Sequence, residues 1–207
     1  MPGVDRINAG LRRVPPWTLY GAGAALPVWL FWAATTGGLG VDPVREIEHT
    51  LGLWSLRLIV AVLCVTPLRR FTGLNLLRFR RAIGVTAFGL ALLHLLAWLV
   101  LDMGLYWAQT LGDIAKRPYI TVGMAAFLMM LPLALSSNDW SVRRLGGARW
   151  RALHRLTYPA AVAAAVHYLW LVKAWPVAPI LYLAAVAFLI GLRLIPRRRA
   201  IQSPRPA

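Results

Sequence analysis

The chain has 207 residues, of which 59% are hydrophobic and ten are tryptophan, with a mean hydropathy of +0.61. Those values exclude an ordinary soluble domain of this length and indicate a polytopic membrane protein. A net charge of +16, from 23 basic against 7 acidic residues, invites a nucleic-acid reading, but the placement of the charges favours membrane topology.

Apolar runs near the ~20 residues needed to cross a bilayer occur at 17–36, 51–68, 82–101, 118–136, 156–173 and 177–195. The expected fold is an all-α integral membrane bundle of six transmembrane helices in one domain, with both termini on one side. Arg6, Arg12 and Arg13 precede the first run; Arg69, Arg70, Arg78, Arg80 and Arg81 lie between the second and third. Arg143, Arg144, Arg149, Arg151 and Arg155 lie between the fourth and fifth, and Arg193, Arg197, Arg198, Arg199 and Arg205 lie at or after the end of the sixth. These are 18 of the 23 basic residues. The opposite connections hold Arg45, Lys116, Arg117 and Lys173 with five of the seven acids, Asp42, Glu46, Glu48, Asp102 and Asp113. By the positive-inside rule the Arg-rich face and both termini are expected to be cytoplasmic. A signal peptide is the competing reading of residues 1–36, but its apolar run is long for an h-region and Ala33-Ala34 is a poor cleavage site. The segment is therefore read as an uncleaved first span. Trp17, Tyr106, Trp107 and Trp175 near span ends read as aromatic-belt anchors, and the arginine clusters as topology determinants that can also meet anionic lipid.

One cysteine, Cys64, excludes an intramolecular disulfide and a CxxC pair, so redox chemistry would need a bound cofactor. The longest polar connection, from about Ser136 to Arg155, is too short for a nucleotide-binding fold, and Gly21-Ala22-Gly23 lacks the third glycine of a dinucleotide fingerprint. Electrons would have to come from a partner or a lipid-soluble donor.

Three histidines, His94, His154 and His167, lie within or at the mouth of the apolar runs, where an ionisable side chain is costly and suggests function. His94 is 12 residues past Ala82, roughly 18 Å along a helix, and His167 is about 11 residues into its run, roughly 17 Å. Both spans run outward, so both imidazoles fall in the outer half at matched depth and can clamp one haem iron axially. His154, 13 residues before His167, falls at the cytoplasmic edge as a candidate for a second, inner haem. On an ideal helix the two side chains are roughly 140° apart, and only a kink near Pro159 would re-phase them. Arg81, 13 residues before His94, always carries its proton and suits a haem propionate rather than iron.

Each histidine also has a plainer reading as an interhelical hydrogen bonder or proton-path group. His49 reads as an outer-surface interfacial residue. Zinc or non-haem iron would want acids or cysteine beside histidine, and a transporter would want broken helices at mid-depth; neither pattern occurs. No serine, histidine and acid grouping suggests nucleophilic catalysis.

Several strings resemble a known family. Gly37-Gly38-Leu39-Gly40-Val41-Asp42-Pro43-Val44, then Ile47-Glu48-His49, Gly52 and Thr66-Pro67-Leu68-Arg69 resemble MsrQ (YedZ), the haem-binding membrane subunit of the bacterial methionine sulfoxide reductase system. So do Arg80-Arg81, Gly84, Leu93-His94-Leu95, Arg117-Pro118-Tyr119, Trp150-Arg151, Leu153-His154 and His167-Tyr168-Leu169-Trp170. The resemblance runs from about residue 26 to 173 and implies a ferric-reductase-like six-helix bundle in the bacterial inner membrane. It implies haem b linked to His94, His154 and His167, with FMN suggested by family membership alone. It further implies electron transfer from the quinone pool or a cytoplasmic flavin reductase to a periplasmic molybdopterin enzyme, MsrP. That partner reduces methionine sulfoxide in oxidised envelope proteins, and the sulfoxide chemistry is expected there. No nucleic-acid partner is implied. The rival readings are a self-sufficient quinol-oxidising or ferric-reducing cytochrome b, and a haem-free membrane anchor or transporter.

Overall fold

A computed structural model of the chain describes residues 2–172 and 176–195. Lys173, Trp175, Arg197, Arg198, Arg199 and Arg205, to which topology roles are given above, lie outside the described residues. The described residues form nine α-helices and no strand: α1 (Pro2–Arg13), α2 (Thr18–Thr35), α3 (Pro43–Thr72), α4 (Arg80–Ala97), α5 (Trp107–Lys116), α6 (Pro118–Leu135), α7 (Asp139–Leu153), α8 (Thr157–Leu171) and α9 (Val177–Leu194).

The six apolar runs reappear as α2, α3, α4, α6, α8 and α9. Three of the helical segments, Pro43–Thr72, Leu77–Asp102 and Pro118–Leu135, are long and apolar enough to cross a membrane by length and composition. The others are shorter or less apolar. α3 begins eight residues ahead of the apolar run because its start is set by capping. Asp42 accepts a hydrogen bond from the Arg45 backbone N–H through its side chain, and Pro43 occupies the first helical position. At the far end Gly73, at φ 79°, closes the helix in the left-handed conformation. Leu77–Asp102 joins a 3-10 turn (Leu77–Phe79), α4 and a π-type turn (Trp98–Asp102) into one rod.

α1, α5 and α7 are the helices that the apolar runs do not announce. α1 is strapped onto the α3–α4 connection: Asn8 donates to the Gly73 carbonyl and accepts from the Asn75 N–H, and Arg78 donates to the Arg12 carbonyl. α7 carries a kink at Gly146, whose φ of 73° is outside the helical region.

Two layers of packing hold the bundle. Leu30 of α2 meets Ile47 and Leu51 of α3 and Leu90 and Ala97 of α4 toward one end. Leu56, Ile59 and Leu63 of α3, Ala87 of α4, Met130 of α6, Ala160, Ala161 and Ala165 of α8, and Val186 and Leu189 of α9 fill the centre. The alanine row of α8 is fully buried. In a bilayer the lipid is as apolar as leucine, so small residues that let backbones approach provide the contact energy. Ser55 ties α3 to α4 by donating to the Ala87 carbonyl at 2.8 Å.

α2 approaches α4 closely at Gly23, where an added Cβ would strike the Thr86 methyl group, whereas Gly21 has nothing around it. Gly23→Val is therefore expected to destabilise the protein by about 1–3 kcal/mol through overpacking and to lower the thermal unfolding midpoint of the detergent-solubilised protein. Gly21→Val should leave that midpoint nearly unchanged.

Candidate functional site

His94 on α4 and His167 on α8 come together although 73 residues separate them. Their ring centroids are 6.2 Å apart and their planes make an angle of 72°. Each ring is held by a neighbouring helix through one nitrogen. His94 Nδ1 lies 2.8 Å from the Glu48 carbonyl oxygen of α3, and His167 Nδ1 lies 2.7 Å from the Tyr119 carbonyl oxygen of α6. A carbonyl can only accept, so the proton sits on Nδ1 in both rings. The Nε2 lone pair is then left available in both, which is the tautomer that a metal-ligating imidazole needs.

Glycine makes these two contacts possible. A helical residue at i+4 stacks over the carbonyl of residue i, and the residues in that position are Gly52 and Gly123. A Cβ at Gly52 would sit 3.1 Å from His94 Nδ1, and one at Gly123 would sit 2.7 Å from His167 Nδ1. The helix pair α3 and α4 thus carries one anchored imidazole, the pair α6 and α8 carries the other, and the two face each other across a cavity.

That cavity has a volume of about 950 Å³ and is lined by both histidines, by apolar side chains such as Leu56, Met124 and Phe127, and at its rim by Asp42, Arg45, Glu48, Asp102 and Arg117. The π-type turn brings Trp98 and Asp102 to its wall. His49, read from sequence as interfacial, is exposed and also reaches this cavity, with its ring 6.0 Å from that of Tyr168.

His154 is not part of this arrangement. It opens a 3-10 turn, His154–Leu156, between α7 and α8, so the ideal-helix angle to His167 does not apply; the turn, rather than Pro159, breaks the phase. It lines a second cavity of about 490 Å³ near the arginine-rich end. The ring stacks on Trp150 with centroids 3.8 Å apart, and Nε2 lies 3.1 Å from the Ser136 hydroxyl. Burial, and then the charge of Arg80, pushes its imidazolium toward the neutral form. Arg81 lines the same cavity and donates to Asp139 at 2.6 Å. That hydrogen bond holds the Asp139 carboxyl below its usual range. Arg80, Arg81, Arg151, Arg155 and Arg193 line this second cavity and no acid among the described residues does, so it is suited to an anionic ligand. Ile59 and Met130 line both cavities and form their common wall.

Sequence reading missed three things. One is the pair of carbonyl partners with their glycines, whose signal is a glycine four residues after Glu48 and again after Tyr119. The second is Arg193, which donates to the Tyr158 hydroxyl and to the Leu63 carbonyl, each at 2.8 Å. The third is Arg57, a charge in the middle of an apolar run.

Residues 51–165 match the family described as ferric reductase like transmembrane component. Curated relatives from Brucella ovis, Brucella melitensis and Brucella suis, each described as a protein-methionine-sulfoxide reductase heme-binding subunit MsrQ, are 48% identical over 191 residues. The alignments cover 92% of this chain and 86% of each relative. No solved structure matches the chain.

Arg193 satisfies two groups on two other helices, so replacing it strands a carbonyl and a hydroxyl. Arg193→Leu is expected to cost about 1–3 kcal/mol, read as a lower thermal unfolding midpoint.

Proposed function

The chain belongs to the MsrQ family of haem-binding subunits, and from that premise we propose that it is a membrane electron-transfer subunit holding haem b between His94 and His167. The paired imidazoles carry this reading. A metal–imidazole bond of about 2 Å puts each ring centre roughly 3 Å from the metal, so two rings on opposite sides of one metal are about 6 Å apart. The observed 6.2 Å agrees. The Nδ1–H groups bonded to Glu48 and Tyr119 fix ring orientation and raise the basicity of Nε2. Gly52 and Gly123 keep the space beside both rings open, and the cavity is large and apolar enough for a macrocycle.

Haem supplies a one-electron couple. If both imidazoles ligated it, its iron would have no open position, which would suit relay rather than oxygen chemistry. The protein's residues hold the rings, exclude water with the apolar wall, and present acids and Arg45 and Arg117 at the outer rim.

The same reading takes both termini and the arginine-rich face as cytoplasmic in a six-span bundle of the bacterial inner membrane, and the His94–His167 end as periplasmic. Electrons come from the quinone pool or a cytoplasmic flavin reductase. They go to the periplasmic molybdopterin methionine sulfoxide reductase MsrP, which repairs oxidised envelope proteins. The haem number is one or two: His154, on the arginine-lined cavity, is the candidate ligand for a second, inner haem once it leaves its Ser136 hydrogen bond, and Arg81 is the candidate propionate partner. FMN follows from the family, and no residue of this chain is assigned to it.

His94→Ala and His167→Ala are expected to purify without the low-spin haem absorbance of the wild type, and His154→Ala to retain part of the haem, as counted by pyridine haemochrome. Equal and complete retention in all three contradicts the assignment. Gly123→Val, which drives a side chain into His167, should lower haem content more than Gly52→Ala. The role itself is tested by reconstitution. Quinol or flavin should reduce the sulfoxide reductase only when this chain is present; full-rate reduction without it overturns the role.

A further inference from the structure

His94, His154 and His167 do not carry their protons on the same nitrogen. In His94 and His167 the N–H is on Nδ1, because each ring faces a carbonyl there. In His154 the proton is on Nε2. Ser136 is buried just past the end of α6 and has one hydroxyl proton to give. Its Oγ lies 2.6 Å from the Pro132 carbonyl oxygen, 3.4 Å from that of Leu133 and 3.1 Å from His154 Nε2. Two oxygens come as close as 2.6 Å when a hydrogen lies between them, and a carbonyl has none to supply. The hydroxyl therefore donates to Pro132 and can only accept from His154, so the proton on that contact belongs to Nε2. A doubly protonated imidazolium meets the same requirement, so Nε2 is protonated in either charge state of the ring.

Further contacts hold the ring in this position. His154 stacks on Trp150, one turn earlier, with centroids 3.8 Å apart and planes at 26°, and the Trp150 indole N–H donates to the Ser136 carbonyl at 2.9 Å. Ser136 thus receives the indole on its carbonyl and the imidazole on its hydroxyl, and clasps the turn at His154–Leu156 to the end of α6. Trp150 and His154 line the smaller, arginine-rich cavity, whereas Ser136 does not.

Iron takes an imidazole through a nitrogen lone pair, and Nε2 of His154 has none while it donates to Ser136. We propose that Ser136 is a positioning residue that holds His154 in a form whose Nε2 cannot ligate, and so lowers the affinity of the smaller cavity for a second haem. For Nε2 to bind iron, its hydrogen bond to Ser136 breaks, the ring proton passes to Nδ1, and the freed lone pair forms the new bond; no electron is gained or lost. The proposal rests on the reading of His154 as the candidate ligand of a second haem.

The test uses the full chain purified with the His94–His167 haem in place and titrated with haemin, bound haem being counted by pyridine haemochrome. In Ser136→Ala the second equivalent should bind about two- to tenfold more tightly than in the wild type, the weight of one such hydrogen bond. Ser136→Thr, which keeps the hydroxyl, should match the wild type, and Ser136→Ala combined with His154→Ala should lose the gain. All of these variants should keep the low-spin signal of the first haem. Nitrogen-15 NMR of histidine-labelled protein should show His154 protonated at Nε2 before the second haem is added; a proton on Nδ1 alone overturns the proposal. Equal affinity in the wild type and Ser136→Ala overturns it, as does a gain that persists without His154. Weaker binding in Ser136→Ala also overturns it, because Ser136 would then support ligation through Nδ1. If no form takes a second haem at saturating haemin while the first is bound, the second-haem reading itself fails and the proposal falls with it.

Discussion

Two hydrogen bonds from imidazole to helix carbonyl organise the centre of this molecule. His94 donates to Glu48 and His167 to Tyr119, and each bond fixes a tautomer, a ring orientation and the distance between two helices at once. A helix carbonyl already accepts from the N–H four residues on, and an imidazole ring seated on it as a second donor needs the space above it. Gly52 and Gly123 leave that space open. The requirement then propagates outward: α3 must pair with α4 and α6 with α8, and the alanine row of α8 lets the second pair close against the core.

The two cavities share the wall of Ile59 and Met130 but differ in charge. The larger one holds the His94 and His167 imidazoles in an apolar chamber with acids at the rim. The smaller one is walled by five arginines and by a histidine whose Nε2 already meets Ser136. The asymmetry follows the distribution of charge along the chain, whose arginine clusters gather near one cavity. Arg81, from one of these clusters, pairs with Asp139 and lines the smaller cavity.

Much of this was legible in the sequence. The apolar runs reappear as helices because hydropathy is the dominant signal in a membrane chain. The depth argument brought His94 and His167 to one level, and in the structure their ring centroids are 6.2 Å apart. What escaped was local. α1, α5 and α7 are short or polar, so no hydropathy run marks them, and the start of α3 was hidden because its cap at Asp42 lies outside the apolar run. The phase of His154 could not be derived because a 3-10 turn interrupts the helix it was assumed to share with His167. Arg57 was masked by the strongly apolar residues on either side of it, although a lone charge inside such a run is itself a signal.

The central claim is that His94 and His167 together ligate one iron. Low-temperature electron paramagnetic resonance of the oxidised protein tests it most directly, because the signal depends on the axial ligands and on the angle between their planes. Imidazole planes near perpendicular, as the 72° here requires, leave two iron d orbitals close in energy. The account therefore predicts a strongly anisotropic low-spin signal that disappears in His94→Ala and in His167→Ala. A high-spin signal in the wild type, or a low-spin signal that survives both substitutions, would contradict it.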